Sequence, residues 1–197
     1  MLDRIGASFA LAADLNRGDR PPVVTTPVSG EQPEWDGNGE RVLADLGEIA
    51  DVAAGYGAVF APEVPSTRFL TVEKARWLFE RTAHPNLGLN DVSHFPRERF
   101  DVAEAVETCA PLAVTTHVKD TDIVDGEVRF RLPGSTEFDY EWFFDALLAH
   151  GYRGDVIAEI SAQLWREEGF DPWAAARACY DNLADADRSP PRAIAGR

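Results

Sequence analysis

Basic clusters are missing from this chain. It carries 34 acidic residues against 19 Lys and Arg, a formal net charge of -15, and no stretch is rich in Lys or Arg. A protein that lives on DNA or RNA displaces counterions from phosphates with a basic patch, so no nucleic acid is expected as its main partner. Isolated basic groups can still hold an anionic group on a small substrate. Also absent is any apolar run near the ~20 residues that cross a bilayer, so no membrane partner is expected. The segment Met1-Leu2-Asp3-Arg4-Ile5-Gly6 has no basic stretch followed by an apolar one, hence no secretory signal, and a cytoplasmic location is the expectation. Cysteine is scarce: Cys109 and Cys179 stand far apart, each in a helical pattern, and read as small buried hydrophobes. No G-x-G-x-x-G phosphate loop follows an early strand, which argues against an open dinucleotide-binding sheet.

What is present suits one globular unit. The 197 residues are 45% hydrophobic, with 5 Trp, 11 Phe and 4 Tyr, enough for a buried core. Short β-branched runs alternate with amphipathic stretches. Helical spacing covers Leu2 to Asn16, then Val42 to Ala53, then a stretch capped by Thr71 that runs through Arg81, with further helices from Val102 to Cys109, after Asp139, and from Asp171-Pro172. Strands are expected at 22–27, 58–61, 87–91, 113–118 and 155–160. Asp125-Gly126 between two apolar pairs predicts a hairpin turn and a small β-ribbon. Five strands, each trailed by a helix, predict βα units around a parallel sheet. The unit of residues 1–187 is expected to form a single domain, with 188–197 as a flexible tail. A closed barrel takes eight strands, so the fold expected is an α/β, incomplete (β/α) TIM-type barrel lacking the first three strands.

The strand ends carry the chemistry. Glu63 stands past the second strand, Asp91 at the end of the third, His117 near the end of the fourth and Glu159 near the end of the fifth. Carboxyl ends of parallel barrel strands share one rim, where active sites are built. Three crowded carboxylates repel one another unless a cation neutralises them. Oxygen donors with one imidazole suit Mn²⁺, Mg²⁺, Co²⁺ or Zn²⁺. Taken singly, each has a plainer reading, as a solvated loop acid or a structural histidine; taken as four on consecutive strands, they point to a site.

These stretches resemble the xylose-isomerase-like superfamily of TIM barrels, which includes sugar phosphate isomerases and epimerases. The resemblance runs from about residue 20 to 185 and rests on an ordered set: Phe60-Ala61-Pro62-Glu63, Asn90-Asp91-Val92-Ser93-His94, Thr116-His117-Val118-Lys119-Asp120, Leu132-Pro133-Gly134 and Gly151-Tyr152-Arg153-Gly154 leading into Glu159. It implies one divalent metal ion held by Glu63, Asp91, His117 and Glu159, with Glu63 and Glu159 as the catalytic acid/base pair on opposite faces of the substrate. It also implies that His94 touches substrate or metal. Lys119 is a candidate for steadying a substrate anion, Arg131 for binding a phosphate or carboxylate, and Trp35 for covering a sugar face; the alternatives are surface salt bridges and ordinary packing. Asn90 stands before Asp91 where the family pattern usually has an apolar residue, and Ser135-Thr136-Glu137 replaces a glycine-rich loop.

The activity implied is isomerisation or epimerisation of a keto sugar or polyol through an enediolate. A dehydratase or lyase on the same site, or a non-catalytic barrel subunit, are the alternatives. A DNA-repair nuclease of the superfamily is disfavoured by the charge and by only 4 histidines. An open half-barrel leaves sheet edges to cover, so a homodimer or a partner subunit completing the barrel is expected.

Overall fold

In a computed structural model of the chain, residues 2–27, 38–63, 71–93 and 101–188 are described. Trp35 and His94 lie outside them. Helix α1 (Leu2–Leu15) leads into β1 (Val23–Pro27), and α2 (Gly39–Gly55) into β2 (Val59–Glu63). Next come α3 (Val72–Thr82), β3 (Leu89–Asn90), α4 (Val102–Cys109) and a 3-10 turn at Ala110–Leu112 before β4 (Ala113–Val118). A ribbon of β5 (Asp120–Val124) and β6 (Glu127–Arg131) intervenes, followed by α5 (Tyr140–Ala149), β7 (Asp155–Ala158), α6 (Ala162–Trp165) and α7 (Pro172–Arg188).

Local chemistry sets the element ends. Thr71 accepts from the Lys74 amide at 3.3 Å, Asp101 from Ala103 at 2.9 Å and Asp139 from Trp142 at 2.9 Å, each satisfying an orphan amide of a first helical turn. The β5–β6 turn uses Asp125 and Gly126 at φ 54° and 79°, the left-handed pair that matches the twist of a hairpin. Gly154 opens β7 because a Cβ there would run into the Val114 carbonyl of β4.

The main sheet has the order β1-β2-β3-β4-β7, all parallel, and β5-β6 forms a separate antiparallel ribbon. The five βα steps make an incomplete (β/α) barrel. Curvature brings its outermost strands toward each other: Arg20, just before β1, bridges to Asp155 at the start of β7 at 2.8 Å. Both groups are exposed, so this brace reports geometry more than it adds stability.

The core lies between the sheet and its helices. Phe9, Leu78, Leu89, Val106, Phe143 and Leu147 are fully buried within one cluster, each worth roughly 1.5–3 kcal/mol of transfer free energy. Phe138, Tyr140, Phe143 and Phe144 pack edge-on or tilted with centroids 4.8 to 6.4 Å apart, the favoured geometry for aromatic quadrupoles. Cys109 and Cys179 are free and buried, as the sequence pattern predicts. The strand β7 stays exposed, with Val156 and Ile157 38% and 43% accessible.

Candidate metal centre

Glu63 is the last residue of β2, His117 the fifth of β4, and Glu159 directly follows β7, its amide donating to the Val118 carbonyl at 2.9 Å. One ligand atom from each of the three falls within 4.8 Å of the other two. Atoms sharing an ion at about 2.1 Å can stand at most about 4.2 Å apart, so a shift of under about 1 Å seats a cation. The donor set of two carboxylates and an imidazole fits a divalent ion, and all three side chains are half-buried, which strengthens the attraction relative to bulk water.

Asp91 stands beside this cluster. It follows the two-residue β3 with φ 76°, a left-handed conformation that a non-glycine residue holds only where its surroundings impose it. Its Oδ1 accepts from the His117 amide at 2.6 Å and lies 3.6 Å from His117 Nδ1, which in turn is 3.9 Å from Glu159 Oε2. The fully buried carboxylate therefore pins the backbone that carries the histidine and stands within ligand spacing of its ring.

Lys119 also comes to the cluster, with Nζ 2.9 Å from Glu159 Oε2 and 5.9 Å from the Phe130 ring centre. Arg131 does not join it. Its Nε donates to Asp122 Oδ2 at 2.7 Å within the ribbon, which engages the guanidinium next to its own strand.

Two buried polar residues next to the cluster are noted in the sequence but given no role there. Asp120, fully buried, accepts from Tyr140 OH at 2.6 Å, Thr136 Oγ1 at 2.9 Å and the Thr136 amide at 3.1 Å. It ties the start of β5, just past β4, to the loop before α5 and to α5 itself. The adjacent Thr116-His117-Val118-Lys119-Asp120 run was the available signal. Asn90, also fully buried, sits in register with Glu63; its polarity in an apolar strand was its signal.

A parallel half-barrel with acids and an imidazole gathered at its carboxyl rim defines the class: a β/α barrel with a candidate cation site. The particular family follows, because a family model of xylose isomerase-like TIM barrels matches residues 2–182. The chain belongs to that family. No curated protein matches it. Among solved structures it is similar to an IolI protein with a bound zinc atom (20% identity, TM-score 0.70, 94% of this chain and 68% of that one). It is also similar to an L-ribulose 3-epimerase (23%, TM-score 0.68, 95% and 68%). A third is a xylose isomerase-like TIM barrel/4-hydroxyphenylpyruvate dioxygenase fusion protein (23%, TM-score 0.69, 92% and 29%). The chain thus spans about two thirds of the first two and under a third of the fusion protein. At these identities the likeness is one of fold.

Proposed function

We propose that this protein is a divalent-metal-dependent sugar isomerase or epimerase, acting on a keto sugar or polyol. The observation that carries the reading is the convergence of Glu63, His117 and Glu159 within 4.8 Å at the carboxyl ends of β2, β4 and β7. Asp91, 3.6 Å from His117 Nδ1, is the fourth ligand in this reading, and Mn²⁺, Mg²⁺, Co²⁺ and Zn²⁺ all suit such donors. When bound, the ion polarises a carbonyl and offsets charge on its oxygen.

Glu63 and Glu159 come from strands on either side of β3 and β4, and in this reading they act on the substrate from two directions. One carboxylate removes the proton next to the carbonyl, leaving an enediolate, and the other returns a proton to the opposite face. Lys119, held at Glu159 in this structure, is placed to donate to the developing oxyanion. His94 and Trp35 complete the proposed substrate contacts, and Arg131 joins them only by leaving Asp122. The same deprotonation followed by loss of a β-hydroxyl would make a dehydratase.

The domain is assigned to residues 1–187, with a tail at 188–197. The exposed Val156 and Ile157 on the outermost strand favour a homodimer or a partner subunit that completes the barrel. No described helix is long and apolar enough to cross a membrane, and the cytoplasm is the proposed compartment.

The test incubates Mn²⁺-loaded protein with a panel of ketopentoses and ketohexoses in D₂O. Deuterium entering the carbon next to the carbonyl, and its loss in Glu63→Gln and Glu159→Gln, supports the reading. Stoichiometric metal without exchange on any sugar rejects the catalytic part. Protein that takes up no metal rejects the site.

A further inference from the structure

We infer that Asn90 is a further oxygen donor of the cation cluster, an inference that rests on reading Glu63, His117 and Glu159 as a cation site. The starting observation is a cost. Asn90 is 0% exposed, and among the described residues neither its Oδ1 nor its Nδ2 has a hydrogen-bond partner. A buried polar group left unpaired costs roughly 1–3 kcal/mol, so an amide kept with both ends unpaired calls for something that binds there.

Register places that amide with the cluster. Partners across a parallel sheet share a face, and the face alternates along each strand. Asn90 pairs with Glu63 on one side and Thr115 on the other. Two residues beyond Thr115 is His117, which pairs with Ile157, and two beyond Ile157 is Glu159. Glu63, Asn90, His117 and Glu159 therefore occupy one face. This is so only because the β3–β4 ladder slips: Leu89 opposes Ala113 while Asn90 opposes Thr115, so Val114 has no opposite number. In an unbroken ladder Asn90 would oppose Val114, and His117 and Glu159 would lie on the face opposite Asn90 and Glu63. Bulges of this kind re-aim side chains beside active sites. Here the slip puts His117 and Glu159 on the face that Asn90 shares with Glu63, and the left-handed Asp91 that follows brings its carboxylate to His117.

The chemistry agrees with the placement. A hard divalent cation prefers oxygen donors, and two carboxylates already converge here with Asp91 beside them. A fourth would add repulsion, whereas a carboxamide adds an oxygen without charge. Thr115, its neighbour in the row, donates its own hydroxyl to the Asp155 carbonyl at 3.3 Å and does not take up the amide. Asn90 Oδ1 would help hold the ion, and Nδ2 would be free to donate to a carboxylate of the same face.

The experiment titrates MnCl₂ by calorimetry into metal-stripped wild-type protein, Asn90→Leu, Asn90→Asp and Glu159→Gln, with thermal melts in EDTA and in Mn²⁺. Asn90→Leu should weaken Mn²⁺ by tenfold or more while melting no lower than wild type in EDTA, because the unpaired amide is gone. Asn90→Asp keeps an oxygen at that point; it should melt lower in EDTA and gain more from Mn²⁺ than wild type does. Asn90→Leu that binds Mn²⁺ as wild type does, or Asn90→Asp that gains no more from it, overturns the role of Asn90 while leaving the site intact. Wild-type protein that binds no Mn²⁺, or Glu159→Gln that binds it unchanged, overturns the site reading and the Asn90 role with it.

Discussion

Replacing Asp120 with alanine should cost this protein a large part of its stability. The carboxylate is fully buried and accepts three hydrogen bonds, from the Tyr140 hydroxyl at 2.6 Å, the Thr136 hydroxyl at 2.9 Å and the Thr136 amide at 3.1 Å. Hydrogen bonds to a charged group contribute about 1.5–3 kcal/mol each, but the groups share one carboxylate and are not additive. The partners also differ in what they lose. Tyr140, 5% exposed, loses the acceptor of its buried hydroxyl, whereas half-buried Thr136 recovers part of its bonding from water. A total of about 3–5 kcal/mol follows, at the upper end of single-site effects. For a chain of this length each kcal/mol lowers the melting temperature by about 2–4 °C, so the drop should fall between about 6 and 20 °C. Tyr140→Phe removes one bond and no ring packing, and should cost about 1–2 kcal/mol. Urea and thermal denaturation of both single variants and the double variant measure these values. A strong coupling is expected, because the bond that Tyr140→Phe removes is already gone without Asp120. Melting of Asp120→Ala within 2 °C of wild type, or strict additivity of the two substitutions, would refute the argument that this network holds the loop before α5 to the start of β5.

Two further outcomes follow from the same geometry. Lys119 Nζ occupies Glu159 Oε2 at 2.9 Å, so its ammonium competes with a cation for that oxygen; Lys119→Met should tighten Mn²⁺ binding several-fold by calorimetry, and weaker binding would contradict the competition. Burial pushes the Cys109 thiol up to about 12 and raises Cys179 as well. Both should therefore resist a thiol reagent at pH 8 in the folded protein and react once unfolded. The linkage has a definite sign. The folded thiol stays neutral while the unfolded one ionises near its ordinary value of about 8.5. Its contribution is thus complete below that pH and is lost as the pH rises toward 12, by about 2 kcal/mol for Cys109 at pH 10. A urea midpoint that holds steady from pH 8 to 10 would exclude it.

Much of the fold is readable along the chain because the information is local. The caps at Thr71 and Asp139, the Asp125-Gly126 turn and the alternation of β-branched runs with amphipathic helices each act over a few residues, and each appears where its chemistry requires. The candidate site was legible in part for a related reason. The carboxyl ends of parallel strands share a rim, so polar residues at those ends meet without any knowledge of side-chain direction. Glu63, His117 and Glu159 do so.

Tertiary structure decided what depends on neighbours. Whether Arg131 reaches a ligand or stays with Asp122 is set by the cross-strand pairing of the ribbon, which no window of sequence contains. Asp91 reads as a strand-end acid, yet its role beside His117 comes from a left-handed turn after a strand of two residues. Asn90 would share its face with Glu63 but not with His117 and Glu159 if β3 and β4 were paired evenly, and all four meet on one face because one residue of β4 goes unmatched. Composition and periodicity determine which residues lie on strands and which end them. The register between strands, fixed only when the whole sheet packs, determines which side of the sheet each one faces, since a slip of a single residue reverses it.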